Sequence, residues 1–284
     1  DQHEPYPKRL EQNGIAVYQN PNALPLAFTV SNNILGSWSL TEDLFEVQNQ
    51  MLIGMTDHQF PALYRKATVE KSSFTNPGWS SDVTSINEIT WELKADSTDT
   101  LYAFFPAELV SYFDLSVNNK LLKDYFMNDR YGIIALGKFY PGESIRIRLR
   151  FNVKEQNLNL DFQSDEILDS VRNAQFYFED AKLLETYFGF LKQESAKIEK
   201  ISSSHLQGSV TVASEKRYLL FSIPYDQSWI LKIDGKRTIP VKVFDALMAV
   251  KISPGNHSFE MIYLPEGLIP GMGITAVSLI IIVI

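Results

Sequence analysis

The stretch LFSIPYDQSWILKIDGK, residues 220–236, decides how the chain is read. It runs as an apolar strand, stops at Pro224, throws out Tyr225, Asp226 and Trp229, resumes as a strand and turns on Asp234-Gly235. Alternation puts Trp229, Leu231 and Ile233 on one face of the second strand, toward a core. The aromatic-acid-aromatic break has two readings. It is either a well-made corner, with Asp226 bonding turn amides and Tyr225 clamping the bend, or a binding cluster.

The segment is echoed upstream. LYAFFP (101–106), FDLSVNNK (113–120) and YGIIALGKFYPGESIRIRLRF (131–151) have counterparts in LLFSIP (219–224), WILKIDGK (229–236) and DALMAVKISPGNHSFEMIY (245–263). Each copy is a strand ending in Pro, a strand ending in a hairpin dipeptide plus Lys, an apolar strand, a Pro-Gly turn and an alternating strand. The offset drifts only from 118 residues between Pro106 and Pro224 to 113 between Pro141 and Pro254. Asp-Gly and Pro-Gly are generic turn formers, so convergent hairpin grammar is the competing account. A structural repeat is the more economical one. It predicts a mainly β chain with helical insertions, an α+β mixture built on two tandem antiparallel, jelly-roll-like β-sandwiches.

Composition bounds the rest. The 284 residues are 45% hydrophobic and 21% charged, enough to bury real cores. A net charge of −8 argues against nucleic acid, whose phosphates need clustered Lys and Arg. With no cysteine there are no disulfides, thiolate metal sites or Cys nucleophiles, a usage that suits a Gram-positive cell surface as well as cytosol. The start, DQHEPYPKRL, lacks Met and is polar, so Asp1 is expected to be the cut end of something longer. From Gly267 to Ile284 there is no charged residue. That run is expected to begin a transmembrane helix near Leu268, with a buried β-branched strand as the alternative.

Elsewhere TEDLFEVQNQMLIGM (41–55) reads as a short amphipathic helix capped by Thr41, with Leu44, Val47, Met51 and Met55 at helical spacing. Residues 70–87 read as a loop. SDEILDSVRNAQ (164–175) and DAKLLETYFGFLKQ (180–193) read as helical around a strand, FYFE. The expected division is an N-terminal segment packing on the sandwiches over 1–80, the first sandwich over 81–163, a helical connector over 164–196, the second sandwich over 197–266 and the membrane helix over 267–284.

VYQNPNALPLAF (17–28), LLFSIPYDQSWILKIDGK (219–236) and ALMAVKISPGNHSFEMIYLPEGL (246–268), running into an apolar helix, resemble the YfhO family of bacterial membrane proteins. The resemblance covers essentially the whole chain, is strongest over 205–284 and weakest through 70–200. It implies a many-helix membrane domain followed by a large extracytoplasmic region and a final transmembrane helix, at the cell membrane. It further implies C-type glycosyltransferase-like activity, moving sugar from a polyprenyl-phosphate carrier onto teichoic acid or a related surface polymer. The catalytic carboxylates of such enzymes lie in an early loop that this chain does not contain, so no catalytic residue is carried over.

The residues themselves offer no catalytic signature. His3, His58, His205 and His257 are scattered, with no zinc-site spacing, and His257 reads as a solvated strand residue. No nucleophile-elbow, Walker or dinucleotide fingerprint occurs. The carboxylates Asp161, Asp165 and Glu166, and Glu179, Asp180 and Glu185, sit at helix starts, where they favour the macrodipole. No cofactor or metal is expected. A glycan-binding cluster would comprise Tyr225, Asp226 and Trp229 with Asp234, its aromatic faces meeting sugar rings and its carboxylates the hydroxyls. Trp91 alternates with Ile89 and Leu93 and belongs to a core. The expected partners are the membrane and a cell-surface glycopolymer.

Overall fold

A computed structural model describes residues 8–12, 14–36, 38–41, 43–75, 88–105, 113–122, 133–151, 173–213 and 217–283. The chain is mostly β, in antiparallel sheets, with three α-helices among the described residues. These are α1 (Leu44–Met55), α2 (Ala181–Lys192) and α3 (Leu268–Val283). Two compact units emerge: residues 1–38, 51–61 and 185–284 form the first, residues 39–50 and 62–184 the second.

In the first unit a five-stranded sheet runs in the order Lys197–Ile201, His205–Val212, Gly255–Tyr263, Trp229–Ile233, Lys236–Thr238. A four-stranded sheet runs Val241–Val243, Leu247–Ile252, Arg217–Pro224, Ala27–Ser31. The alternating apolar residues of both sheets, among them Leu206, Val210, Leu219, Phe221, Leu231, Val250, Phe259 and Met261, make one core. The far face of the four-stranded sheet is also covered. Phe28, Val30, Tyr218, Leu220 and Ala249 pack there with Met51, Leu52 and Met55 of α1 and Phe190 and Leu191 of α2. Ala27–Ser31 is therefore buried at every position, as a strand covered on both faces must be.

The second unit repeats this plan. Its five-stranded sheet runs Val69–Thr75, Glu88–Lys94, Ser144–Phe151, Phe113–Val117, Lys120–Leu122. Its four-stranded sheet runs Ile133–Lys138, Thr100–Phe104, Gln175–Glu179, Tyr64–Lys66. Trp91, at 3% exposure, lies in the core between them with Phe105 and Phe176. Strand for strand, the five-stranded sheets have one order. The hairpin turns agree as well, because Asn118-Asn119 and Asp234-Gly235 both hold positive φ at their two central positions. Asn118 Oδ1 accepts from the Arg146 N–H at 2.8 Å, and Asp234 Oδ1 accepts from the Ser258 N–H at 2.9 Å.

Several expectations change. Residues 70–75 belong to a strand: VEKSSFT pairs antiparallel with Glu88–Lys94 at a sheet edge, where its polar residues can face water. Helix α1 is capped by Asp43, whose Oδ1 accepts from the Phe45 and Glu46 N–H groups, while the Thr41 hydroxyl bonds the Asp43 carbonyl. Segments read as an N-terminal covering and a connector supply sheet strands, Ala27–Ser31 to the first unit and Gln175–Glu179 to the second. The helix read over 164–172, with its cap candidates Ser164 and Asp165, lies outside the described residues. The apolar end is a helix rather than a strand, exposed from Leu268 to Ile281. Its 16 residues rise about 24 Å at about 1.5 Å each. Among the described residues no helix is long and apolar enough to cross a membrane.

Candidate functional site

The corner after Pro224 is built by short-range hydrogen bonds. The Tyr225 N–H donates to the Ala246 carbonyl at 2.7 Å. Asp226 Oδ1 accepts from the Ser228 N–H at 2.7 Å and its carbonyl from the Trp229 N–H at 3.2 Å, which folds the bend on itself. Asp226 Oδ2 accepts from the Tyr263 hydroxyl at 2.9 Å. The Ser228 N–H, and after it the Tyr263 hydroxyl, hold the Asp226 carboxyl below the usual aspartate range. Trp229 is half-buried against the first unit's core, and its ring meets Tyr263 edge-on at 5.0 Å.

Beside this corner opens a cavity of about 590 Å³ lined by Tyr225, Asp226, Gln227, Ser228, Tyr263, Pro265 and Glu266. The structure thus brings Tyr225 and Asp226 together at the cavity and sets Trp229 behind it. Asp234 stands apart, at the other end of the strand Trp229–Ile233, five residues or about 17 Å away at a strand's rise. Tyr263 and Glu266 also line the cavity, and no local motif marks them in the sequence. The cross-strand pairing Trp229↔Tyr263 puts Tyr263 at the corner, and only the register reveals it.

Asp234 has its own cluster. His257 Nδ1 lies 2.7 Å from Asp234 Oδ2 and Nε2 lies 3.3 Å from Ser253 Oγ, a serine-histidine-aspartate order. Its geometry departs from that of a nucleophilic triad: Nε2 lies nearer the Ser253 carbonyl, at 2.9 Å, than the Ser253 hydroxyl. The group is a clasp between two turns. His257, read as solvated, is only 13% exposed at its side chain because of it. The His257 ring first, then the Ser258 N–H, hold the Asp234 carboxyl below its usual range.

The other carboxylates diverge. Glu179 accepts from the Tyr64 hydroxyl at 3.1 Å and the Tyr102 hydroxyl at 3.4 Å beneath Phe45, and burial raises its carboxyl against the pull of both hydroxyls. Asp180 Oδ1 caps α2 through the Leu183 N–H at 2.9 Å. Asp161, Asp165 and Glu166 lie outside the described residues. Among the described residues no group of three or more His, Cys, Asp or Glu could hold a metal ion.

A family model described as bacterial membrane protein YfhO matches residues 1–275. No curated protein matches the chain. Solved structures with partial likeness include a GH2 beta-galacturonidase from Eisenbergiella tayi, bound to galacturonate or to glycerol, at 11% identity and a TM-score of 0.25. That likeness covers 71% of this chain and 38% of the galacturonidase chain. A Faecalibacterium prausnitzii beta-glucuronidase matches at 10% identity and a TM-score of 0.18, over 63% of this chain and 32% of its own. Likeness at this level carries no argument about function.

Proposed function

The chain belongs to the YfhO family of bacterial membrane proteins, and on that premise we propose that it is the extracytoplasmic accessory part of a multi-pass membrane protein. The parent protein, in this reading, is a polyprenyl-phosphate-sugar-dependent glycosyltransferase that decorates lipoteichoic acid or another cell-surface polymer, and α3 is the start of its returning transmembrane helix. The observation that carries the reading is the family match, which spans both sandwiches and enters α3. The chain itself is catalytically silent and serves to hold or present the acceptor. Its glycan contact is the corner cavity, where the Tyr225 ring and the Asp226 carboxylate would meet sugar, with Gln227 and Glu266 at the rim and Trp229 as backing. Asp234, first grouped with them, acts in the turn clasp.

A second reading has one observation in its favour. Both Asp226 oxygens already accept bonds from within the corner, as in a purely structural or partner-binding ectodomain. The deciding experiment deletes the parent gene and measures sugar substitution of the lipoteichoic and wall teichoic acids by mass spectrometry. The expected result is loss of a hexose or aminosugar, restored by the full-length protein but not by protein lacking residues 1–266. Unchanged polymers would remove the glycosylation reading. Restoration by a Tyr225→Ala, Gln227→Ala full-length variant would remove the corner's part in it.

A further inference from the structure

The outer face of the first unit's five-stranded sheet changes character along its strands. Alternation sends Leu206, Val210, Leu231, Phe259 and Met261 into the core, and the residues between them face outward in rows. At one end Ile262 stands between His205 and Ile230. The next row crosses all five strands: Lys200, Gln207, Glu260, Lys232 and Arg237. Beyond it come Lys197, Ser209 and Ser258, with Glu199 bonded to Ser209 and Asp234 to Ser258. Thr211 and Asn256 form the last row.

The apolar row is the one nearest α3. Its strand ends at Tyr263, one residue after Ile262, and α3 begins at Leu268. The turn at 202–204 lies at this end too, because the Ser204 carbonyl accepts from the Tyr263 N–H at 2.9 Å. Ile201, just before that turn, is 65% exposed. The fold does not require this order. The matching turn bonds equate Ser258 with Arg146, so Ile262, His205 and Ile230 correspond in the second unit to Arg150, Glu88 and Asp114.

Charge is sorted along the same axis. In a chain whose net charge is −8, the row behind the isoleucines holds three cations against one acid. That acid, Glu260, lies 2.9 Å from Lys232 Nζ and 3.1 Å from His205 Nε2. Lys200 and Arg237 stand exposed on the two edge strands. The acids Glu199 and Asp234 come a row farther from α3, and Asp226 and Glu266 line the corner cavity. Isoleucine, then lysine and arginine, then hydroxyls and amides is the order in which a bilayer offers acyl chains, anionic phosphates and water. A dissolved polyanion would leave the isoleucines without a use. A stable protein interface needs about 1,000 Å² or more, far beyond three isoleucines.

We propose that this end of the sheet rests on an anionic bilayer surface, with Ile201, Ile230 and Ile262 at the acyl boundary and Lys200, Lys232 and Arg237 on lipid phosphates. The inference rests on the reading of α3 as a membrane helix, and needs neither the corner cavity nor the parent protein's activity. Tethered by α3, the face meets lipid at high effective concentration. Without α3 its few contacts hold only marginally, as a single acyl chain does.

The chain has no cysteine, so Gln207→Cys and Thr211→Cys each give one site for a fluorophore. Both positions are exposed on this face, about 13 Å apart along one strand. Each labelled 284-residue chain is reconstituted into vesicles of phosphatidylglycerol and phosphatidylcholine that carry a headgroup-nitroxide lipid, and the fraction that floats with the vesicles is read. Quenching is expected to be several-fold stronger at 207 than at 211. It is expected to be lost at 207 in vesicles without phosphatidylglycerol and in the Lys200→Gln, Arg237→Gln variant, and kept in Lys200→Arg, Arg237→Lys. The charge-keeping pair separates loss of charge from loss of fold. Three results would overturn the proposal and leave the reading of α3 intact: equal quenching at the two positions, quenching at 207 indifferent to lipid charge and to the Gln pair, or quenching lost in the charge-keeping pair as well. A chain that does not float with the vesicles would remove the reading of α3 and this inference with it.

Discussion

At Gly208 one hydrogen atom decides whether two strands and a ring fit together. A Cβ there would lie 2.4 Å from the Lys197 carbonyl oxygen and 2.7 Å from Phe259 Cζ. Phe259 is 1% exposed and packs edge-on against Phe221 at 5.5 Å, so neither neighbour can step aside. Gly208→Ala is expected to lower stability by about 1 to 3 kcal/mol, as overpacked cores do, and urea denaturation measures it. Asp234 allows a cleaner test of charge. Its lowered carboxyl adds stability that is complete above its ordinary value of 3.8 and is lost as pH falls through the lower folded value. Asp234→Asn keeps an Oδ1 acceptor for Ser258, as Asn118 does for Arg146 in the other copy. The Tm gap between wild type and variant should therefore hold above pH 3.8 and close below it; a gap unchanged at the acid end would sink this account. The sequence pointed to Asp234 because of its neighbours along the chain. Its partners His257 and Ser258 are set by strand register, which local composition does not carry.

Among the elements, Ala27–Ser31 is the one whose importance was least visible. As a segment it is five residues after two prolines, Pro21 and Pro25. In the folded chain it pairs with Arg217–Pro224 on one side and bonds the 194–196 segment on the other, through Thr29 N–H to Glu194 and Ala196 N–H to Ala27. Ala27, Phe28 and Val30 are at most 2% exposed. Removing residues 1–36 should uncover Leu219 and Phe221 and open the first unit, while the amides of Ser144–Phe151 in the second stay protected from hydrogen exchange. Loss of protection there too would mean that the second unit depends on this strand. The four strands of each copy are far easier to read, since alternation and turn dipeptides are local signals.

For the molecule as a whole, the repeated sheets and the apolar helix set the expectations. Each sandwich has a core of its own, and α3 presents its apolar side chains to the outside from Leu268 to Ile281. If α3 is the start of a membrane helix, as proposed, the 284-residue chain should float with phospholipid vesicles and the chain lacking residues 267–284 should not. Flotation of both would place the membrane contact elsewhere.

By itself the sequence determined the strand alternation, the two copies of one hairpin grammar, the helices at 44–55 and 181–192, and an uncharged apolar end. Each of these is written in residues that are neighbours along the chain or a turn apart. Only the tertiary structure decided that strands at 27–31 and 175–179 complete the four-stranded sheets, that Trp229 packs against Tyr263, which lines the corner cavity, and that Asp234 serves a different cluster. Those facts depend on which distant strands pair and in what register, and pairing is chosen by burial summed over a whole core rather than by any local run of residues.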